Sequence, residues 1–122
     1  MSDALTTFFA AWSETDARKR SALIANALTA DATYSDPRSG GRLTGHDAIS
    51  DYVGMFSANA PGWTASVVSS DVVNGYARTI VAFGGTGPDG SDMVQHGTYF
   101  TDHDEAGKIT AMAGFVGTGA PE

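Results

Sequence analysis

The chain contains no cysteine. A disulfide framework and a thiolate metal site are therefore both excluded. Basic residues are scarce: seven Lys and Arg stand against fourteen Asp and Glu, a formal net charge of −7. Phosphate backbones and acidic membranes are read by basic footprints, so neither nucleic acid nor a membrane surface is an expected partner. The one basic cluster, Arg18-Lys19-Arg20, reads as a solvated first turn of a helix. No apolar run approaches the length of a membrane span. Residues 1–16 have no basic n-region, so no secretory signal is expected there. Missing cysteine and a missing signal together point to the cytoplasm. The three histidines are too scattered for metal-ligand spacing. No Gly-rich phosphate loop follows a strand pattern either.

What is present suffices for one domain. A chain of 122 residues that is 42% apolar can bury a single core. No repeat or linker divides it, so 1–122 is expected to be one unit. Ser2 or Asp3 can cap a first helix, along which Leu5, Phe8, Phe9 and Trp12 recur at helical spacing. Asp16 caps a second, with Leu23, Ile24, Ala27 and Leu28 on one side. Residues 32–36 read as a short strand. Thr44 and Asp47 resemble a capping box opening a third helix, whose apolar face is Ile49, Tyr52, Val53 and Phe56. Pro61-Gly62 closes this half.

The second half changes period. Strands are expected over 63–73, 76–83, 92–103 and 108–116. They are separated by Asn74-Gly75, a strong hairpin signal, by the Pro88-Asp89-Gly90 turn and by a turn at 104–107. The tail from 118 onward is expected to be loose. Three helices followed by an antiparallel meander predict an α+β domain. Long strands that carry glycine curl strongly, and a curled sheet closed by helices forms a cone. An apolar pocket in that cone, with a few polar groups, is the expected ligand site.

The stretch from Asp31 to Ile49 is the most informative. Asp36 sits at a strand end before Pro37, and Tyr34, two residues earlier, shares its face. A carboxylate and a phenol there can do proton chemistry, provided burial raises the affinity of the carboxylate for a proton. They can equally be an Asp-Pro turn beside a strand aromatic. Trp12, Phe8, Tyr52 and Phe56 can line a pocket or simply be core. Gln95 shares a face with Tyr99 and is a candidate ligand contact or a rim residue, and Met112 of the last strand joins the candidate lining. His96 points to the opposite face, His46 is expected to be exposed, and His103 lies near a turn among acids.

These residues resemble the nuclear-transport-factor-2-like superfamily, which includes ketosteroid isomerases and SnoaL-like polyketide cyclases. Four stretches carry the resemblance: Phe8-Phe9-Ala10-Ala11-Trp12 with Thr15-Asp16; residues 31–37 followed by 45–49; residues 104–109; and Phe115-Val116-Gly117. The resemblance implies a cone-shaped curled antiparallel sheet wrapped on N-terminal helices and enclosing a pocket, commonly in a homodimer formed through the sheet. The isomerases place a general base just before a proline after the first strand, a position matched by Asp36-Pro37. Their oxyanion hole pairs a tyrosine with a protonated aspartate. Here the tyrosine position holds Phe8, and the aspartate position falls on Tyr99. The Arg-x-Asp pair of limonene-epoxide hydrolases and the late acid of the SnoaL-type cyclases have no counterpart in 76–83 or 111–116.

The expected activity is thus proton transfer on a small apolar carbonyl compound, with Asp36 as base and Tyr99 or Tyr34 stabilising an enolate. That chemistry needs no cofactor and no metal. The alternative is a non-catalytic ligand-binding or dimerisation module on the same fold.

Overall fold

The computed structural model of the chain describes residues 2–87 and 89–118, without the side chains of Ser2 and Asp3. The capping role expected of Ser2 or Asp3, Pro88 of the second turn, and residues 119–122 of the tail therefore lie outside the described residues.

Helix α1 (Ser2–Ala10) tightens into a 3-10 turn (Ala11–Ser13), and this continuous stretch buries Leu5, Phe8, Phe9 and Trp12. Asp16 caps α2 (Ala17–Ala27): its carboxylate accepts from the backbone N–H of Arg18 at 2.9 Å and of Lys19 at 3.2 Å. Two orphan N–H groups of the first turn are satisfied in this way. Arg18 and Lys19 are solvated as expected, but Arg20 is half-buried. Its Nε and Nη2 donate to the Glu14 carbonyl at 3.1 and 2.8 Å.

The chain passes without a loop from α2 into β1 (Leu28–Ser35), so Leu28 is a strand residue rather than a helical one. A two-residue strand β2 (Leu43–Thr44) folds back on β1, pairing Thr33 with Thr44 and Tyr34 with Leu43. Thr44 is consequently occupied in a ladder and does not cap α3 (His46–Asn59). The N-cap is Gly45, at φ 89°, with no side-chain cap. That positive φ suits glycine, and the Gly45 N–H donates to the Ala32 carbonyl at 2.9 Å.

Four long strands follow: β3 (Thr64–Val73), β4 (Tyr76–Thr86), β5 (Asp92–His103) and β6 (Ile109–Val116). Asn74 and Gly75, at φ 51° and 86°, make the turn between β3 and β4. The sheet order is β2-β1-β6-β5-β4-β3. The meander is as expected, but β1 adds a parallel pairing with β6, matching Tyr34 to Met112. Register shifts interrupt the β3–β4 ladder between Val67 and Ser69 and the β5–β6 ladder between Asp102 and His103. Such irregularities let a sheet curl. The architecture is the expected α+β one, with N-terminal helices against a curled, unclosed six-stranded sheet.

Alternation along the strands sorts two faces. Ala32 and Tyr34 of β1, Thr79 and Val81 of β4, Tyr99 of β5 and Met112 of β6 are buried on the helix side with Ile24, Ile49 and Val53. Full burial of each such aliphatic or aromatic side chain contributes about 1.5–3 kcal/mol. Among the described residues, no helix is long and apolar enough to cross a membrane.

Candidate functional site

Strand β1 ends one residue before Asp36, and the chain turns at once. The Ser39 N–H donates to the Asp36 carbonyl at 3.2 Å, and the Arg38 N–H donates to Asp36 Oδ1 at 2.9 Å. Ser39 Oγ accepts from the Asp36 N–H at 3.1 Å. The backbone around the carboxylate is thereby fixed, and the carboxylate itself is half-buried just beyond the end of β1.

Three phenols meet there. The Tyr34 hydroxyl donates to Asp36 Oδ2 at 2.7 Å. The Tyr52 hydroxyl, reaching from α3, lies 2.7 Å from Oδ1 and 2.8 Å from Oδ2. Tyr99 Oη lies 3.1 Å from Tyr34 Oη. Each hydroxyl has one proton. Since that of Tyr34 is directed to Asp36, the Tyr99 hydroxyl is the donor between the two tyrosines. The result is a directed chain from Tyr99 through Tyr34 to Asp36. Every group hydrogen-bonded to the Asp36 side chain is a donor, the arrangement that a carboxylate satisfies.

Burial holds all three phenols protonated. The pKa of Tyr34 is raised well above its ordinary value, first by desolvation and then by Tyr99 and the Asp36 charge. Desolvation likewise raises Tyr52, reinforced by its hydrogen bond to Asp36. Tyr99 is also raised, chiefly by burial. A donor that keeps its proton is what an oxyanion partner must be.

The remaining expected site residues separate into two groups. Phe8, Trp12, Tyr52, Phe56 and Met112 all join the core around the chain of phenols. Their rings are closely set: Trp12 lies 5.0 Å from Phe56 and 6.2 Å from both Tyr34 and Tyr52, and Phe8 lies 5.7 Å from Tyr34. Phe9 and Phe83, at 5.0 and 6.2 Å from Tyr99, complete the cluster. Aromatic side chains thus line the helix-facing side of the sheet around Asp36. A groove of about 630 Å³ lies over the opposite face, beside Arg42, Asp71, Tyr76, Phe100 and Asp102. Gln95 does not join the cluster: it is exposed, across from Phe83 on the neighbouring strand.

Three further features escaped the sequence. Tyr52 has the position of an apolar lining residue in the sequence, yet it shares the carboxylate with Tyr34. Gly114 is the cross-strand partner of Tyr99, and a Cβ there would come within 2.4 Å of the Tyr99 ring. The ring lies over that bare backbone. Third, Trp12 Nε1 is the one buried side-chain nitrogen or oxygen among the described residues with no hydrogen-bond partner.

The histidines stand apart from the site. His46 is half-buried rather than exposed, with Nε2 3.0 Å from the Leu28 carbonyl. His103 is buried, 2.7 Å from Thr101 Oγ1 and 3.2 Å from the Gly107 carbonyl. No cluster of three His, Asp or Glu side chains gathers among the described residues.

Comparison with known proteins agrees with this architecture. The family model described as a SnoaL-like domain matches residues 5–112. The chain belongs to the SnoaL-like family. Among solved structures, this SnoaL-like chain is similar to a candidate isomerase of the same family from Agrobacterium tumefaciens, with a TM-score of 0.79, 24% identity, and coverage of 94% of this chain and 95% of that one. It is also similar to a protein of ketosteroid-isomerase-like fold from Catenulispora acidiphila in complex with trimethylamine, with a TM-score of 0.74, 18% identity, and coverage of 92% and 83%. The epoxide hydrolase/cyclase-like enzyme SalBIII, of pyran ring formation in the polyether salinomycin, matches with a TM-score of 0.71, 19% identity, and coverage of 95% and 89%. These likenesses establish the SnoaL-like fold. No curated protein sequence matches the chain.

Proposed function

We propose that the protein is a cofactor-independent proton-transfer enzyme, of isomerase or cyclase type, acting on a small apolar carbonyl compound. The observation that carries this reading is the directed chain from Tyr99 through Tyr34 to the half-buried carboxylate of Asp36. Asp36 takes a proton from the carbon next to the carbonyl. The electron pair moves onto the carbonyl oxygen, and a phenol, Tyr99 or Tyr34, turns its proton to the resulting enolate. As the carbonyl re-forms, Asp36 returns the proton to the same carbon or, where a second double bond is conjugated with the enolate, to the far end of that double bond.

The donor arithmetic permits this. A carboxylate offers about four acceptor positions, and Arg38 N–H, Tyr34 and Tyr52 fill three. Tyr52 is the half-exposed phenol of the three, so it is the one a substrate displaces. Enzymes among the fold's neighbours, such as the SalBIII cyclase-like protein, make the class of chemistry reasonable. Fold alone does not fix a reaction.

A second reading, a non-catalytic binding module, is favoured by one observation. The phenols already satisfy Asp36 without a substrate. Neighbours captured with trimethylamine and with polyporic acid make ligand binding a reasonable role in either case. In both readings we also propose a homodimer through the outer sheet face, where Phe100 and Phe115 stand exposed with their rings 5.8 Å apart.

The test is deuterium exchange at the α-carbon of cyclic ketones, followed by NMR. General-base catalysis typically contributes about 10²–10⁴-fold, so Asp36→Asn should slow exchange at least ~100-fold. Equal exchange in wild type and Asp36→Asn removes Asp36 as the base. Ketone binding with no exchange in either protein establishes the binding module.

A further inference from the structure

The tyrosine position implied by the resemblance to ketosteroid isomerases falls on Phe8, whose ring has no hydrogen to donate. One helical turn later, on the same face, stands Trp12. Its side chain is 3% exposed, and its Nε1 has no partner. A buried donor left unpaired has given up its hydration with nothing in return. Folded proteins carry few such groups, and each calls for a reason. The other indole supplies the contrast: Trp63 Nε1 donates to the Thr86 carbonyl at 3.3 Å.

The surroundings of Trp12 narrow the reason. Its neighbours are the rings of Phe8, Phe9, Tyr34, Tyr52, Phe56 and Phe83. The tyrosines among them lead directly to Asp36. Tyr52, Phe56 and Phe83 are only half-buried, so a ligand would have to approach the indole from their side of the cluster. An N–H can only donate, so the ligand atom it suits is an acceptor and not a cation.

We propose that Trp12 Nε1–H is the hydrogen-bond donor that receives an oxygen of the ligand, a ketone or another uncharged oxygen-bearing compound. It replaces, from one turn further along the helix, the donor that Phe8 lacks. This inference rests on the reading of the cone as a ligand site, and does not need Asp36 to be a base.

The test uses protein labelled with 15N at tryptophan, which gives two indole signals, with Trp63 as internal reference. The probes are 2-decalone and its 2-methylene analogue, which has nearly the same outline without the acceptor oxygen. The decalone should move the Trp12 indole proton downfield and leave that of Trp63 in place, while the methylene analogue should not shift Trp12 downfield. Placing benzothienylalanine at position 12 exchanges N–H for sulfur while preserving the ring shape. It should weaken decalone binding about fivefold, the worth of one neutral hydrogen bond, and leave the analogue unaffected.

A Trp12 signal unmoved by bound decalone, or equal affinity for the two probes, overturns the proposal and assigns the N–H to a ring face of the cluster. Failure of both probes to bind overturns it as well. The two readings separate cleanly. A Trp12 shift without α-carbon exchange refutes proton transfer alone, and exchange with an unmoved Trp12 refutes this inference alone.

Discussion

Tyr99 and Phe100 are consecutive residues of β5, yet the first is 4% exposed and the second 48%. The same strands therefore present two different surfaces. Inside, the sheet meets α1, the 3-10 turn and α3, and aromatic rings surround a chain of phenols ending on a carboxylate. Outside, Phe100, Phe115, Val73 and Tyr76 stand exposed around the exposed Arg78–Asp71 ion pair, whose N···O distance is 2.9 Å. Similar residue types thus serve packing and polar geometry on one face and are uncovered on the other. The difference comes from what the helices cover, since alternation alone assigns residues to faces without saying which face is filled.

The largest expected difference between the faces is in stability. Phe9→Ala removes a ring in contact with Phe8, Trp12, Phe83 and Tyr99 and should cost about 3–5 kcal/mol in urea unfolding. Phe100→Ser on the outer face should change the stability of the monomer by no more than about 0.5 kcal/mol. Similar losses at both positions would break the comparison. If the outer face is a dimer interface, Phe100→Ser should instead shift sedimentation toward monomer.

Gly114→Ala sharpens the comparison at one residue pair. The added methyl meets the Tyr99 ring, so overpacking should cost about 1–3 kcal/mol and move the hydroxyl away from Tyr34. A neutral effect in thermal unfolding would mean that the ring does not lie on that backbone. Tyr34→Phe should cost a similar ~1.5–3 kcal/mol, because it removes a hydrogen bond to a charged group.

The effect of pH is smaller until the solution is strongly alkaline. The folded-state pKa values of Tyr34 and Tyr99 are raised, so above pH 10 the unfolded chain loses phenol protons that the folded chain keeps. Stability from these two groups is complete below pH 10 and falls as pH rises beyond it, by about 1.4 kcal/mol per phenol per pH unit. Phenol absorbance at 295 nm should show both ionising only with unfolding. Ionisation of either phenol near pH 10 in the folded protein would contradict their burial.

Local signals in the sequence were the readable ones. Asp16 capped its helix, and Asn74-Gly75 turned its hairpin, because both act on backbone groups a few residues away. The third of the expected helix starts failed for a long-range reason. Thr44 pairs with Thr33, and only that ladder takes it out of the capping role. The parallel pairing of β1 with β6 joins residues some eighty positions apart and leaves no mark on either strand's pattern.

The candidate site divides in the same way. Tyr34 and Asp36 were legible as neighbours two apart on one face. Tyr99 came from the superfamily resemblance, and its hydroxyl does meet that of Tyr34. Tyr52 looked like one more apolar position of a helix, since nothing in a helical stripe tells a phenol's ring from its hydroxyl. Gly114 reads as an ordinary strand glycine until the ring of its cross-strand partner is seen to occupy the space of a side chain.

The central claim is that the inner face carries donor phenols converging on one carboxyl group. Proton NMR near 0 °C tests it most directly, because hydroxyl protons in short phenol–carboxylate hydrogen bonds resonate well downfield of the backbone amides. Wild type should show such signals from Tyr34 and Tyr52. Tyr34→Phe and Tyr52→Phe should each remove one, Asp36→Ala should remove both, and Phe100→Ser should leave both in place. A wild-type spectrum with no signal downfield of the amides, or signals unchanged in Asp36→Ala, would contradict the account.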